Sequence, residues 1–440
     1  MIARRPARLF LFSFLSLVLC AAPAATARAQ HAPQDHGDHP GEPCPACPPP
    51  RESSGTSWQP DLAGSSHHWR RAGSWLLGTH LQVAATAIDE RGPRGDRAVV
   101  APNHGMLTLR RSAGGGTLAI RTMFSLDPLM GARGYPLLGQ SGETADGINP
   151  LFDRQHPHDL VMELAAAWER RLASGATASV YVAAVGEPAL GPPAFMHRPS
   201  ARLLPTSPIT HHWFDSTHIT YGVVTVGLAP REHLRFEGSV FNGREPDQHR
   251  WGLEVPRFDS YSLRISINPT PSLAFQASAG VLNEPEIFHE GADVTRLTAS
   301  VMYARRGTRW SFDGFAAVAH ATRTAILTPL GNGFDYYVPG ATSPAALVEG
   351  TLALGSRHHF IVRAEAARKG ELFPADHALH LEQFAMARTT LAYALRVLDL
   401  PNARVHVGGA WSALRTATAL RAEYGNRPTG TLGFVQLELH

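Results

Sequence analysis

Histidine is the residue most able to do chemistry in this chain, and it is unevenly placed. Of the 23 histidines, several stand beside carboxylates in two stretches: Asp153-Arg154-Gln155-His156-Pro157-His158-Asp159, and Met196-His197-Arg198 followed by His211-His212-Trp213-Phe214-Asp215, with His218 just beyond. Neutral imidazoles next to carboxylates offer the donor atoms that zinc, copper or nickel prefer. The same histidines can also do no more than hydrogen-bond the backbone, while Trp213 and Phe214 would suit an aromatic girdle at a membrane interface. Nearer the N-terminus His31, His36 and His39 precede Cys44-Pro45-Ala46-Cys47. Two thiols and three imidazoles suit a copper- or zinc-like ion; in an oxidising compartment the same pair makes a local disulfide. Asp215-Ser216-Thr217-His218 supplies the residue types of nucleophilic hydrolysis. Neighbours at odd offsets on a strand face opposite sides, so that run cannot by itself assemble a triad. No phosphate-cradling glycine loop or zinc-protease helix motif occurs in the sequence.

Such residues need elements to position them, and the hydrophobic periodicity supplies one kind. From residue 76 onward apolar residues recur at every second position: Tyr261, Leu263, Ile265 and Ile267 share one face, and Ser260, Ser262, Arg264, Ser266 and Asn268 the other. Leu391, Tyr393, Leu395 and Val397 alternate in the same way with Thr390 and Arg396. Reading between turn signals predicts sixteen strands, at 76–88, 104–112, 116–126, 160–171, 176–186, 216–228, 233–243, 258–268, 272–283, 293–305, 308–320, 345–354, 358–368, 382–397, 402–414 and 429–439. Even-to-odd links are short and odd-to-even links mostly long. That parity is what a transmembrane β-barrel shows, with tight periplasmic turns and long extracellular loops. In lipid every backbone amide must pair, so among β architectures only a closed sheet works. The fold class expected is therefore all-β, a transmembrane antiparallel barrel of about sixteen strands over residues 76–440.

Composition agrees. The 440 residues are 44% hydrophobic and 18% charged, with a formal net charge of +3. Residues 1–29 carry Arg4, Arg5, Arg8 and Arg28 and no acid, and an apolar run from Leu9 to Ala22 precedes Ala27-Arg28-Ala29. That is the pattern of a cleaved secretory signal peptide. Without it the chain is nearly neutral, which removes the main support for a nucleic-acid partner. Residues 30–75 are rich in proline, histidine and cysteine and poor in aliphatics, and are expected to form a disordered periplasmic leader. Past the signal no apolar stretch is long enough for a membrane-spanning helix.

Leader, alternating segments, loop parity and a final strand Leu432–Leu439 together resemble the bacterial outer-membrane porin-like barrels over residues 76–440. The resemblance implies an outer-membrane channel in a Gram-negative-type envelope, inserted by the barrel-assembly machinery. His440 stands where such barrels usually end on an aromatic. The His/Cys-bearing leader also resembles, more faintly, copper-resistance outer-membrane proteins. With apolar faces toward lipid, the opposite faces would line a water-filled lumen with Arg110, Arg121, Arg235, Arg264, Arg363, Arg388, Arg396 and Arg404 against Glu163, Glu169, Glu237 and Glu365. Such a lining favours anions unless the charges pair in ladders between strands. In some porins a long early loop folds inward, which would bring His156, His158, His197, His211, His212 and His218, with Asp153, Asp159 and Asp215, to a constriction. The function expected is passive diffusion of small hydrophilic solutes or ions, with no catalytic residues and no resident cofactor, in a barrel that meets outer-membrane lipid and is able to self-associate. A metal-handling role for copper or zinc is the alternative; a barrel enzyme is the second.

Overall fold

A computed structural model describes residues 46–329, 335–374 and 376–439. The signal segment, His31, His36, His39 and Cys44 lie outside them. Sixteen long strands form one closed antiparallel barrel. They are β1 (Trp75–Arg91), β2 (Asn103–Ala113), β3 (Gly116–Phe124), β4 (Val161–Arg171), β5 (Thr177–Gly186), β6 (Thr220–Arg231), β7 (Leu234–Phe241) and β8 (Ser260–Thr270). The second half is β9 (Leu273–Leu282), β10 (Val294–Arg306), β11 (Trp310–Arg323), β12 (Ala341–Leu354), β13 (His358–Lys369), β14 (Phe384–Leu400), β15 (Ala403–Thr416) and β16 (Thr429–Leu439). Each pairs with its sequence neighbours, and β16 closes the ring on β1 through the register Leu81↔Leu439 to Arg91↔Thr429.

The alternating pattern decides which face goes where. On β8, Tyr261 and Leu263 are 57% and 67% exposed on the outside, whereas Arg264 beside them is 3% exposed inside. The outer belt continues through Leu107, Ile120, Val182, Phe236, Phe275 and Val435, all exposed. For a barrel in water such a belt would be a liability; in a bilayer it is the contact surface. The short turns are as tight as the sequence implies. Between β2 and β3 both Gly114 and Gly115 have positive φ, the geometry of a two-residue hairpin turn that favours glycine.

One segment corrects the sequence reading. Residues 46–75 are not a disordered tail: His68–Ala72 pairs with the start of β1, and residues 46–63 sit inside the short-turn end of the barrel. Composition misleads here because the segment is held by wall residues rather than by a core of its own. Arg110 donates to Ala46 O (2.9 Å) and to Glu52 (2.7 Å), Arg264 to Thr56 Oγ1 (2.7 Å), and Asn268 to Gln59 O (2.8 Å). The loop 187–219 after β5 turns inward, as expected of an early loop, and is almost wholly buried. Its one-turn helix His211–Phe214 puts Trp213 and Phe214 against the inner wall at Ala274, Phe315, Ala317, Ala319 and Ala345. They are therefore lumen anchors, not an interfacial girdle. The alanines leave the room that two aromatic rings fill. Above, a hairpin, Tyr135–Thr144 with Pro150–Gln155, joins an apolar cluster that includes Leu138, Ile209, Phe373 and Tyr424 and covers the loop end.

Candidate functional site: the filled lumen

The inward loop is latched by charge. Arg198, fully buried, donates from Nε to Glu349 of β12 and from Nη1 to Asp215, each at 2.7 Å. Its guanidinium also lies 4.5 Å over the ring of Phe315. Glu349 receives Arg363 as well, at 3.0 Å. A second latch holds the loop 125–160: Arg250 pairs with Glu143 and, at 3.1 Å, with Asp159, whose other oxygen accepts from Tyr221. The two fillings of the lumen meet where the Ala194 amide donates to Ser54 Oγ at 2.9 Å.

The lumen charges expected from sequence do face inward, and they are paired. Arg121 meets Glu163 (3.2 Å), Arg235 and Arg264 both meet Glu237 (3.3 and 2.9 Å), and Arg388 meets Glu90 (2.6 Å). Arg110 holds Glu52 and, at 3.7 Å, Glu169; Arg396 and Arg404 share Asp399 at 2.6 and 3.3 Å. Glu365 instead accepts from the amide and hydroxyl of Thr210, both at 3.1 Å. Each of the eight arginines thus has a carboxylate partner, between neighbouring strands for Arg121, Arg264, Arg363 and Arg404 and within a strand, between strands further apart or to the N-terminal segment for the others.

The carboxylates of the histidine stretches are committed to structure. Asp153 accepts from Arg94 (2.7 Å), the Gly139 amide and Tyr424. Asp215 binds His211 Nδ1 (2.8 Å) besides Arg198. Burial alone would raise its pKa, but Arg198 and His211 hold it well below the usual carboxylate range. Glu143 is depressed in the same way by Arg250 and His156. Ser216 Oγ donates to His212 O and accepts from Arg296, while His218 Nδ1 turns to Asp215 O. Asp215, Ser216 and His218 therefore do not converge as a hydrolytic relay.

The imidazoles do converge. His156, His158, His211, His212 and His218 lie in ring-to-ring contact, with centroids 5.2 to 6.4 Å apart. Burial, reinforced by neighbouring imidazoles, lowers the pKa of His197, His212 and His218 far below the ordinary value, so these rings are neutral. Sequence reasoning missed His80 and His104, although both stand on the inward faces of β1 and β2; face assignment could have found them. Glu286, His289 and Glu371 come from loops far apart in sequence, and Glu371 has no local signal. Cys47 is disulfide-bonded and so offers no thiolate.

No family model matches the chain, and no curated protein matches it. Its structure is similar to that of Salmonella typhi OmpF, solved with daunomycin, at 9% identity and a TM-score of 0.50, covering 84% of this chain and 100% of that one. An anion-selective porin from Comamonas acidovorans is similar at 9% identity and a TM-score of 0.49, covering 83% and 100%. The likeness to OmpF shows the porin barrel fold, which this chain shares.

Proposed function

We propose that this porin-fold barrel is an outer-membrane channel for passive movement of small hydrophilic solutes or ions, held narrow by the loop 187–219 and by residues 46–63. One observation carries the reading: a ring of buried charged residues faces a lumen inside a closed sheet whose outer belt is exposed and apolar. Charges inside a barrel are tolerated when water or polar filling reaches them, and passing polar solutes is the use that such an interior serves. In that role the belt meets outer-membrane lipid. Insertion there would be by the barrel-assembly machinery. Self-association is tested by the mass of the particle in detergent.

The deciding measurement is conductance in planar bilayers. The full chain should give small or infrequent steps, and a variant with the inward loop unlatched should give larger, frequent ones. Silence from both overturns the channel. Anion preference is the finer expectation, and the pairing of all eight arginines works against it.

A further inference from the structure

The histidines in the lumen form more than one cluster. From the loop end, ring centroids run His156–His212 at 6.3 Å, His212–His211 at 5.8 Å, His211–His218 at 5.2 Å and His218–His158 at 5.3 Å. Toward the short-turn end a second run continues as His197–His104 at 5.5 Å, His104–His80 at 5.4 Å and His80–His67 at 6.1 Å. His158 and His104 line one cavity, where the two runs adjoin. Nine imidazoles thus mark a course through the filled barrel.

Their orientation is specific. The Nδ1 atoms of His156 and His218 face the carbonyl oxygens of Pro157 and Asp215, at 3.1 and 2.7 Å. A carbonyl only accepts, so Nδ1 carries the proton in both; in the neutral ring of His218 Nε2 keeps its lone pair, whereas Nε2 of His156 is engaged by Glu143 at 2.8 Å. His158 and His211 are likewise held through Nδ1, by Asp127 and Asp215 at 2.7 and 2.8 Å. Ligating imidazoles are oriented in this way, with the second nitrogen tied to a carboxylate or carbonyl. Meanwhile Nε2 of His104, His212 and His218 is buried without a hydrogen-bond partner. Met106, Met123, Met162 and Met196 pack with Phe195, which stacks on His158. Thioether and imidazole together suit copper-like ions far better than magnesium or calcium.

At the loop end stands a distinct donor set. His289 Nδ1 lies 2.8 Å from Glu286 and 3.0 Å from Glu371. Among the described residues this is the one group with three metal-type donor atoms within 4.8 Å of one another. His212 leads inward from it: a Cβ added at Gly142 would meet His212 Cε1 and, beyond it, Glu371 Oε2. Unlike Glu163, Glu237 and Glu349, Glu286 and Glu371 have no arginine or lysine within ion-pair distance among the described contacts.

Resting on the channel reading, we propose that the solute is a divalent transition-metal ion, captured by Glu286, His289 and Glu371 and passed along the imidazole series toward the short-turn end. Conduction needs a site good enough to enter and a succession of weaker ones from which to leave. Three donors at the mouth followed by single imidazoles give that gradation. Arg296, Arg323, Arg368 and Lys369 border the same cleft. They hold the affinity of the mouth down, as a cargo site requires, and Lys369 is itself committed to Gln140 and Ile209 O at 2.7 and 2.8 Å.

The test uses the full chain in detergent and in liposomes. Titration calorimetry with Cu²⁺ and Zn²⁺ should show saturable binding, absent with Mg²⁺, and Glu371→Gln and His289→Ala should each weaken the mouth site at least tenfold while the barrel keeps its heat-modifiable mobility on gels. His218→Ala should leave mouth affinity unchanged and slow Zn²⁺ entry into dye-loaded liposomes. Equal binding by wild type and both mouth variants, or Zn²⁺ entry no faster than in empty liposomes, overturns the proposal. Potassium chloride conductance of an Arg198→Ala variant separates the two readings: conductance without metal binding leaves a channel for other solutes, and metal binding without conductance leaves a metal-binding barrel.

Discussion

At the residue scale the decisive side chain is Arg198. Removing one partner of a buried ion pair typically costs about 3–5 kcal/mol when the other charge is left buried and alone; here Arg198→Ala would take one of two partners from each of Asp215, which keeps His211, and Glu349, which keeps Arg363. The barrel wall has its own ladder, so we expect the loss to fall on the seating of the inward loop. Single-channel steps several-fold larger than wild type, with an unchanged barrel circular dichroism spectrum, would show it; wild-type steps would place the latch elsewhere. Glu187 makes a different prediction. Burial pushes its carboxyl up to about 7, against Arg264, Ser54 and Arg121 that pull it down and Glu163 that raises it, and it lies against Gly55 of the N-terminal segment. A carboxyl whose folded pKa is raised favours the seated state most when protonated. Seating of residues 46–63 should therefore be firmest below about pH 4.5 and weaken as pH rises to about 7. Trypsin cleavage near Arg51 should rise over that range, and Glu187→Gln should flatten the response.

At the element scale every barrel strand was legible, most within three residues at each end, because a half-lipid, half-lumen sheet obeys a period of two without interruption. The early strand reading from residue 216 fails by a turn, since Ser216–His218 is a short 3-10 segment ahead of β6. What stayed hidden has no period. The hairpins Tyr135–Thr144/Pro150–Gln155 and Ile326–Pro329/Asp335–Val338 lie in loops, where local alternation is short. The filling of residues 46–63 depends on Arg110, Arg264 and Asn268, distant residues whose alternative reading as a bare lining was equally consistent with sequence. The inward loop did leave a trace: the inner faces of β11 to β13 carry Ala317, Ala319, Ala345 and Ala367 where a wet lumen would favour polar residues. That trace is testable. Adding bulk to a packed wall costs about 1–3 kcal/mol, so Ala345→Phe should displace Trp213 and expose the loop 187–219 to protease. An intact loop would mean the alanines are incidental.

At the scale of the whole molecule, charge matters by pairing more than by count. The chain without residues 1–29 is nearly neutral, and each of the eight arginines that the sequence places on the inner faces meets a carboxylate. The reversal potential in a tenfold potassium chloride gradient should then lie near zero; a strongly anion-selective value would mean that the pairs open in the conducting state.

The seating of residues 46–63 has a mechanical side. The segment enters from the short-turn end and is fastened at spaced points, Arg110 first, then Arg264, then Asn268 and finally Leu62 to Pro271 O. Tension applied at its N-terminal end would load those points one after another rather than together, so the plug should peel under a small force where shearing it out whole would need a large one. An optical-tweezers record with successive low rips, preceding any unfolding of the barrel, is the expected trace.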